Sequence, residues 1–355
     1  MTRAWNVGTG RMGMRNPAIP VPDSLILIDK PAGMTSHDVV DRIRRFVRPM
    51  KVGHTGTLDP FATGLLPLCL GRATRLSRFL SLSDKGYEGL IELGVRTATY
   101  DCDGNVLSRS KVPEGWQESV AKIFKKLPGI VKLIPPPFSA KKVMGRPLYE
   151  FARADIHIKR KPIETRILDI QLLEFLEKGF RFRAEVSAGT YLRSLADSIG
   201  LEIGCGAHLK ELRRISSGPL RIDQAIPLVQ LEDRIEEDPE QFPSLVVPLQ
   251  EIPLGLKTLT VNAQGRAAIL HGRCFGPAGL NRTAEPSPTP YYRIEDGATG
   301  NLLGIAETLT GHSQLPRSLW KPILVFPPQT IAQTRRGPDL QASAGRAGPG
   351  EQELN

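Results

Sequence analysis

The chain has 355 residues, 40% hydrophobic and 24% charged, enough apolar content to bury a sizeable core, and its length suggests two domains. Lys plus Arg total 47 against 37 Asp plus Glu, a net charge of +10 that favours a polyanionic partner, nucleic acid ahead of an anionic membrane surface. No apolar run reaches membrane-spanning length, MTRAWNVGTGRMGMRNP lacks the apolar centre of a signal peptide, and Cys69, Cys102, Cys205 and Cys274 stand apart from one another and from suitably spaced His. These features point away from membrane spans, disulfide frameworks and zinc sites, and toward a cytoplasmic protein with reduced, mostly buried thiols.

Residues 1–22 mix Gly, Pro, Arg and Met without periodicity, and residues 329–355 are small, polar and rich in Pro and Gly; both ends are expected to be disordered. Between them LILID opens as a short buried strand. SHDVVDRIRRFV follows as a helix, with Val39, Val40, Ile43, Phe46 and Val47 on one face, Ser36 as cap and its arginines outward. In GHTGTLDPFATGLLP, Gly53, Gly56 and Gly64 permit tight turning around Asp59, and Pro60 biases Asp59 toward extended backbone. LLPLCL reads as a strand and ATRLSRFL as a helix. KGYEGLIELGV places Tyr87, Gly89, Ile91, Leu93 and Val95 on one strand face. GFRFRAEV alternates Phe180, Phe182, Ala184 and Val186 with charged partners, and GTYLRSLADSIG starts a helix with Leu192, Leu195, Ala196 and Ile199 at helical spacing. A composition shift near Pro248 to Pro253 precedes GLKTLTVNAQGRAAILHGRCF and YYRIEDGATGNLLGIAE, the latter a hairpin turning at DGATGN. The order of elements is α+β, ending in a small β-rich domain with a Pro-rich insertion, GPAGLNRTAEPSPTPYY.

Taken alone, Asp59-Pro60 is a common turn starter. The longer pattern, Gly-His-Thr-Gly-Thr-Leu-Asp-Pro, then Ala-Thr-Gly, a hydrophobic strand and Gly-Arg-Ala-Thr-Arg, resembles the central motif of the TruB family of pseudouridine synthases, its bacterial branch best. The resemblance extends through LILIDKPAGMTSHD, SDKGYEG, IPPPFSAKKVMGRPLYEFAR, SAGTYLRSLADSIG and GCGAHLKELRRISSG. It implies a mixed, mostly antiparallel central sheet with flanking helices over residues 23–250 and a small PUA-like β-barrel over residues 251–328. The implied reaction is isomerisation of the uridine at position 55 in the tRNA T loop, with no metal and no organic cofactor.

That chemistry breaks the bond from ribose to a ring nitrogen and makes one from the same sugar carbon to ring carbon 5, so no outside electrons are needed. An ionised Asp59 can attack the anomeric carbon, attack ring carbon 6 or remove a ribose proton; the residues leave all three open. A buried carboxylate needs a fixed cation to stay charged, and the resemblance assigns that role to Arg193, which is otherwise a solvated helix charge. By the same resemblance Tyr87 stacks on the uracil and helps remove the proton on ring carbon 5. Tyr191 and Leu212 line its pocket, His54 fills the place of the extruded base, and Lys30, a family basic position, is counted with them among the substrate-binding residues. Each of these apolar or aromatic residues also reads as ordinary core. A flipped base needs such an apolar wall.

KKVMGRPLYEFARADIHIKRK holds Lys141, Lys142 and Arg146 in a local excess of positive charge, read as a solvated run or, by resemblance, as a loop gripping the T stem. Arg42, Arg44, Arg45, Arg48 and Lys51 form a second group of candidate phosphate contacts. The expected partner is tRNA, with no membrane, no required protein partner and a monomeric state. Three other readings are weaker. A non-catalytic RNA-binding protein or RNA chaperone has no need of Asp59, Tyr87 and Arg193 together. A guide-RNA-directed synthase of the dyskerin type often carries long basic tails. An aspartyl-nucleophile hydrolase needs a metal or phosphate loop beside Asp59.

Overall fold

The structure, a computed structural model, describes residues 19–139, 141–143, 145–154, 156, 158–309 and 319–327. Residues 1–18 and 328–355, which hold most of the two ends expected to be disordered, lie outside the described residues. Residues 19–22 do not fit that expectation: the Ile19 N–H bonds the Phe46 carbonyl at 3.3 Å and Val21 is buried against the core.

In chain order come β1 (Ser24–Lys30), α1 (Ser36–Val47), β2 (Val52–His54), β3 (Thr63–Leu70), a 3-10 helix (Gly71–Leu76), α2 (Ser77–Ser81) and β4 (Lys85–Leu93). The hairpin of β5 (Val95–Thr97) and β6 (Val106–Arg109), then α3 (Trp116–Lys126) and β7 (Gly129–Leu133), precede an insertion with β8 (Lys142–Val143), β9 (Arg146–Pro147) and α4 (Leu148–Arg153). Then follow β10 (Ile163–Leu176), β11 (Gly179–Val186), α5 (Leu192–Ile203), β12 (Ala207–Ser217), β13 (Leu220–Arg221), β14 (Ile226–Pro227), α6 (Leu228–Glu237) and β15 (Val247–Pro248). They build one mixed sheet in the order β14-β1-β3-β12-β4-β11-β10-β7, antiparallel except at β1/β14 and β3/β12.

Phe180, Phe182, Ala184 and Val186 of β11 are buried, as the alternation predicts, and each ring removed from water contributes on the order of 2 kcal/mol. Close packing at the sheet centre explains Gly89: a Cβ there would lie 2.8 Å from the Phe182 ring and 2.9 Å from the Glu211 carbonyl. Helix α1 buries Val39, Val40, Ile43 and Val47, but its cap is Thr35 rather than Ser36. Thr35 accepts from the Asp38 N–H at 3.1 Å while the Asp38 carboxylate accepts from the Thr35 N–H at 2.8 Å, a reciprocal box that Ser36 is one residue too far on to form. The Ser36 hydroxyl instead accepts from the Leu58 N–H at 2.8 Å, tying α1 to the residue before Asp59. The arginines of α1 do face outward, although Arg42 pairs with Glu232 of α6 at 2.9 Å.

The second sheet contains β16 (Lys257–Val261), β17 (Tyr291–Asp296), β18 (Leu302–Thr308) and β19 (Trp320–Val325), with α7 (Ala263–Leu270) between the first two. Single pairs, Val261 with Leu280 and Phe275 with Trp320, touch its two edges, but no continuous ladder closes it among the described residues. The expected barrel is thus an open four-stranded sheet. The segment that would close it carries Pro277, Pro286, Pro288 and Pro290, each without the N–H a ladder requires.

Arginines from the first sheet's side cap the free edge of β19 and the residues after it. Arg72, Arg75 and Arg78 donate to the carbonyls of Pro327, Val325 and Ile323 at 3.4, 2.9 and 3.4 Å. From Arg72 to Arg75 three residues of 3-10 helix advance about 6 Å, close to the roughly 6.6 Å of two extended residues; Arg78 follows from the first turn of α2. Two of the four cysteines, Cys69 and Cys205, are buried; Cys102 and Cys274 are exposed, against the expectation of mostly buried thiols.

Candidate active site

Asp59 lies in the loop joining β2 to β3, and that loop is fixed from several directions. The Ala62 N–H bonds the Asp59 carbonyl at 3.1 Å and the Gly33 N–H bonds the Pro60 carbonyl at 2.9 Å. Gly64, at φ +100°, lets the strand leave the loop directly against β12, where a Cβ would sit 2.3 Å from the Arg214 carbonyl.

Arg193 is in the first turn of α5, just after the N-cap residue Tyr191, and its side chain is buried. Its Nη2 donates to Asp59 Oδ1 at 2.8 Å and to the Phe138 carbonyl at 3.0 Å; Nη1 donates to Asp101 Oδ2 at 3.1 Å and to the Thr99 carbonyl at 3.2 Å. Only Nε, among its nitrogens, lacks a partner among the described residues. The guanidinium is therefore shared between two carboxylates, and this limits what it does for Asp59. Burial pushes the Asp59 carboxyl above its ordinary value, Arg193 pulls it down, and Asp101 and Asp103 push it up again, so the net direction is upward. Although 31% of the Asp59 side chain opens to the adjoining cavity, protein crowds its other sides.

That cavity, about 470 Å³, is bounded by Asp59, Tyr87, Phe138, Tyr191, Arg193 and Leu212, with Ser139, Lys85 and Arg214 adding polar wall. Strand register explains the grouping. Tyr87 of β4 is directly opposite Arg214 of β12, and Gly89 is opposite Leu212, so Tyr87, Leu212 and Arg214 share one face. The space suits a small polar ring with one charged end. A larger cleft of about 670 Å³ beside the start of α3 is lined by charges of both signs, including Glu92, Arg109, Lys111 and Glu114, and contains none of the candidate site residues named from the sequence.

Five of those residues, Asp59, Tyr87, Arg193, Tyr191 and Leu212, meet at the cavity. Lys30 and His54 do not line it. Lys30 is fully buried, and its Nζ donates to the carbonyls of Pro31, Met34 and Pro60 at 2.8, 2.7 and 3.3 Å, clamping the loop after β1 to the Asp59 loop. Burial holds its amine down to about 8. His54 is half-buried on β2, and its Nδ1 accepts from the Gly56 N–H at 3.3 Å; burial, then Arg214, lowers its pKa. Lys141, Lys142 and Arg146 belong to the β8/β9 insertion, where Arg146 pairs with Glu150 at 3.0 Å and stacks over Phe151.

Sequence reasoning missed Asp101, Arg214, Phe138, Ser139 and Lys85. Arg214 had a signal: it stands two residues beyond Leu212 on a strand, so period two puts both on one face. Lys85, two before Tyr87, had the same. Its Nζ donates to the Ser81 carbonyl at 2.5 Å, and burial, then Arg214, holds the amine down to about 8. Asp101 comes to Arg193 only through the tertiary fold, and nothing in its flanking residues marks it.

A buried arginine at the start of a helix thus holds a loop carboxylate at the wall of a cavity floored by β4 and β12 of the mixed sheet. The model of the TruB family pseudouridylate synthase N-terminal domain matches residues 44–192, and that of the tRNA pseudouridylate synthase B C-terminal domain matches residues 193–252. The chain is 40% identical over 287 residues to tRNA pseudouridine synthase B of Solibacter usitatus, covering 81% of this chain and 96% of the relative. To the same enzyme of Cupriavidus pinatubonensis it is 37% identical over 305 residues, 84% and 95% of the two chains. Among solved structures it is similar to a chain of a Cbf5-Nop10-Gar1 complex, with TM-score 0.68, 26% identity and coverage of 88% and 91%. A chain of an H/ACA RNP bound to a substrate RNA containing 2'-deoxyuridine gives TM-score 0.66, 26% identity and coverage of 89% and 92%. The chain belongs to the TruB family. It is a tRNA pseudouridine synthase, an isomerase acting on tRNA uridine.

Proposed function

We propose that the enzyme isomerises the T-loop uridine at position 55 of tRNA, taking the base out of its stack into the cavity and using Asp59 as the catalytic carboxylate. The 2.8 Å contact between Asp59 and Arg193 on the wall of a nucleoside-sized cavity carries this reading. The reaction breaks the sugar bond to ring nitrogen 1, joins the same sugar carbon to ring carbon 5, removes the carbon-5 proton and puts a proton on nitrogen 1, so electrons and atoms balance within one nucleotide. Arg193 favours the charged form of Asp59. Tyr87 packs its ring on the uracil and Tyr191 and Leu212 exclude water, which strengthens each electrostatic contact inside. Asp59 can act on the anomeric carbon, on ring carbon 6 or on a ribose proton, and the same geometry serves each.

Lys141, Lys142 and Arg146 contact phosphates of the T stem, while His54 and Lys30 act from behind the Asp59 loop, Lys30 by holding its backbone. Residues 23–250 form the catalytic domain and residues 251–328 a PUA-like RNA-binding domain. The chain works in the cytoplasm as a monomer, without cofactor or protein partner. The test is to incubate the protein with an unmodified tRNA transcript and map pseudouridine chemically. The expected result is one modified position, 55, lost when that uridine is replaced by cytidine. Tight binding of the transcript with no pseudouridine would favour an RNA chaperone instead.

A further inference from the structure

Tyr100 has a positive φ of 65°, alone among the described non-glycine residues. Asn or Asp can support a left-handed backbone with a side-chain hydrogen bond, but tyrosine has no such group, so the surroundings must hold it there. They do so from three sides. The Tyr100 carbonyl accepts from the Leu209 N–H of β12 at 3.0 Å. Two guanidinium groups pack on the buried ring, Arg96 at 5.8 Å and Arg160 at 5.9 Å from its centroid, and Arg160 also reaches the Tyr100 hydroxyl at 3.5 Å. Both arginines are themselves anchored: Arg96 forks onto Asp197 at 2.6 and 3.1 Å, one turn of α5 beyond Arg193, and Arg160 donates to the Pro135 carbonyl at 2.8 Å.

The turn so held aims two acceptors at a single nitrogen. The Thr99 carbonyl and the Asp101 carboxylate, on either side of Tyr100, reach Arg193 Nη1 at 3.2 and 3.1 Å. The other terminal nitrogen of that guanidinium holds Asp59. A right-handed or extended residue at position 100 would turn one of these acceptors away.

We propose that Tyr100 is a positioning residue: held by Arg96 and Arg160, its left-handed backbone fixes Arg193 and through it orients Asp59 for the proposed reaction. Arg160 and Pro135 stand at the two ends of the insertion that carries Lys141, Lys142 and Arg146. The clamp therefore also joins that insertion to the catalytic carboxylate.

The obvious alternative is that the ring only fills the apolar groove it shares with Phe138, Leu148 and Phe151. Glycine and alanine at position 100 separate the two, since both remove the ring while only glycine tolerates the backbone. Single-turnover isomerisation of an unmodified tRNA transcript and the Kd for that transcript are measured on the full chain. Tyr100→Gly is expected to lose about tenfold in rate with Kd within about twofold, and Tyr100→Ala to lose more. Tyr100→Phe, which keeps the ring and loses only the hydroxyl's 3.5 Å contacts with Arg160, should recover most of the rate. Arg160→Met should slow the reaction in the same sense, and the double variant Tyr100→Gly/Arg160→Met should be no slower than the slower single one. Wild-type rates in both Tyr100→Gly and Arg160→Met, equal losses in the Gly and Ala variants, or losses confined to Kd would each overturn the clamp while leaving the catalytic reading intact. A wild-type enzyme inactive on the transcript would overturn both.

Discussion

Arg193 and Arg146 carry the same group under opposite conditions. Arg193 is buried at the meeting of α5 and three loops, and its terminal nitrogens make four protein hydrogen bonds. Arg146 stands on a short hairpin with 61% of its side chain exposed, and its described partners are Glu150 and the Phe151 ring. An exposed pair of that kind adds little to stability and is screened by salt, so such a charge is free to meet a phosphate. A buried guanidinium has no such freedom. Its value lies in holding a carboxylate in one place, and removing the arginine would leave two carboxylates without their shared cation in a poorly solvated site.

The difference predicts a separation of chemistry from binding, and the largest effect belongs inside. Asp59→Asn should bring single-turnover isomerisation below about a thousandth of wild type while Kd for tRNA stays within a few-fold. A variant retaining a tenth of the wild-type rate would end the assignment of Asp59. On the outside, Lys141→Ala with Lys142→Ala should weaken tRNA binding. Its salt dependence should flatten by about one unit for each phosphate that these lysines neutralise, and the saturated rate should fall much less. Equal binding and an unaltered salt slope would make the insertion a solvated charge run.

The smallest expected effect is on stability, and its sign runs against intuition. The Asp59 carboxyl is raised in the folded state, so its contribution is fully favourable below the unfolded pKa, about 3.9, and is lost as pH rises through the folded value. At neutral pH the ionised group is a net cost. Asp59→Asn, which leaves Arg193 paired with Asp101, should therefore melt higher than wild type near pH 7.5, with the gain shrinking toward pH 4. A lower melting temperature at pH 7.5 would mean that Arg193 outweighs burial.

Local periodicity made the sheet legible: the alternation of Phe180, Phe182, Ala184 and Val186 and the inward row from Tyr87 need only the pleat of a strand. Asp59 and Arg193 stood out through a long motif, and the structure brings them together from distant parts of the chain. Where local signals were ambiguous the reading slipped. Thr35 and Ser36 are adjacent hydroxyls, and only the reciprocal bond to Asp38 selects Thr35. Lys30 is a charge in an apolar strand, and only the three carbonyls around its amine show that it clamps backbone rather than lining the cavity. Asp101 and the strained Tyr100 were invisible because their partners lie on α5, β12 and the insertion. The open second sheet followed from prolines whose number was plain but whose effect on closure needed the pairing.

The central claim is that Arg193 keeps Asp59 usable despite burial, and the acidic limb of the single-turnover rate against pH tests it most directly. In wild type that limb should lie above the ordinary carboxylate range, because burial wins part of the contest. Arg193→Met removes the opposing cation and leaves Asp101 nearby, so its limb should move to still higher pH. Arg193→Lys keeps the charge but not the fork that reaches both carboxylates; its limb should move less, even if its maximum rate is low. Three limbs that coincide would show that Arg193 does not set the charge state of Asp59.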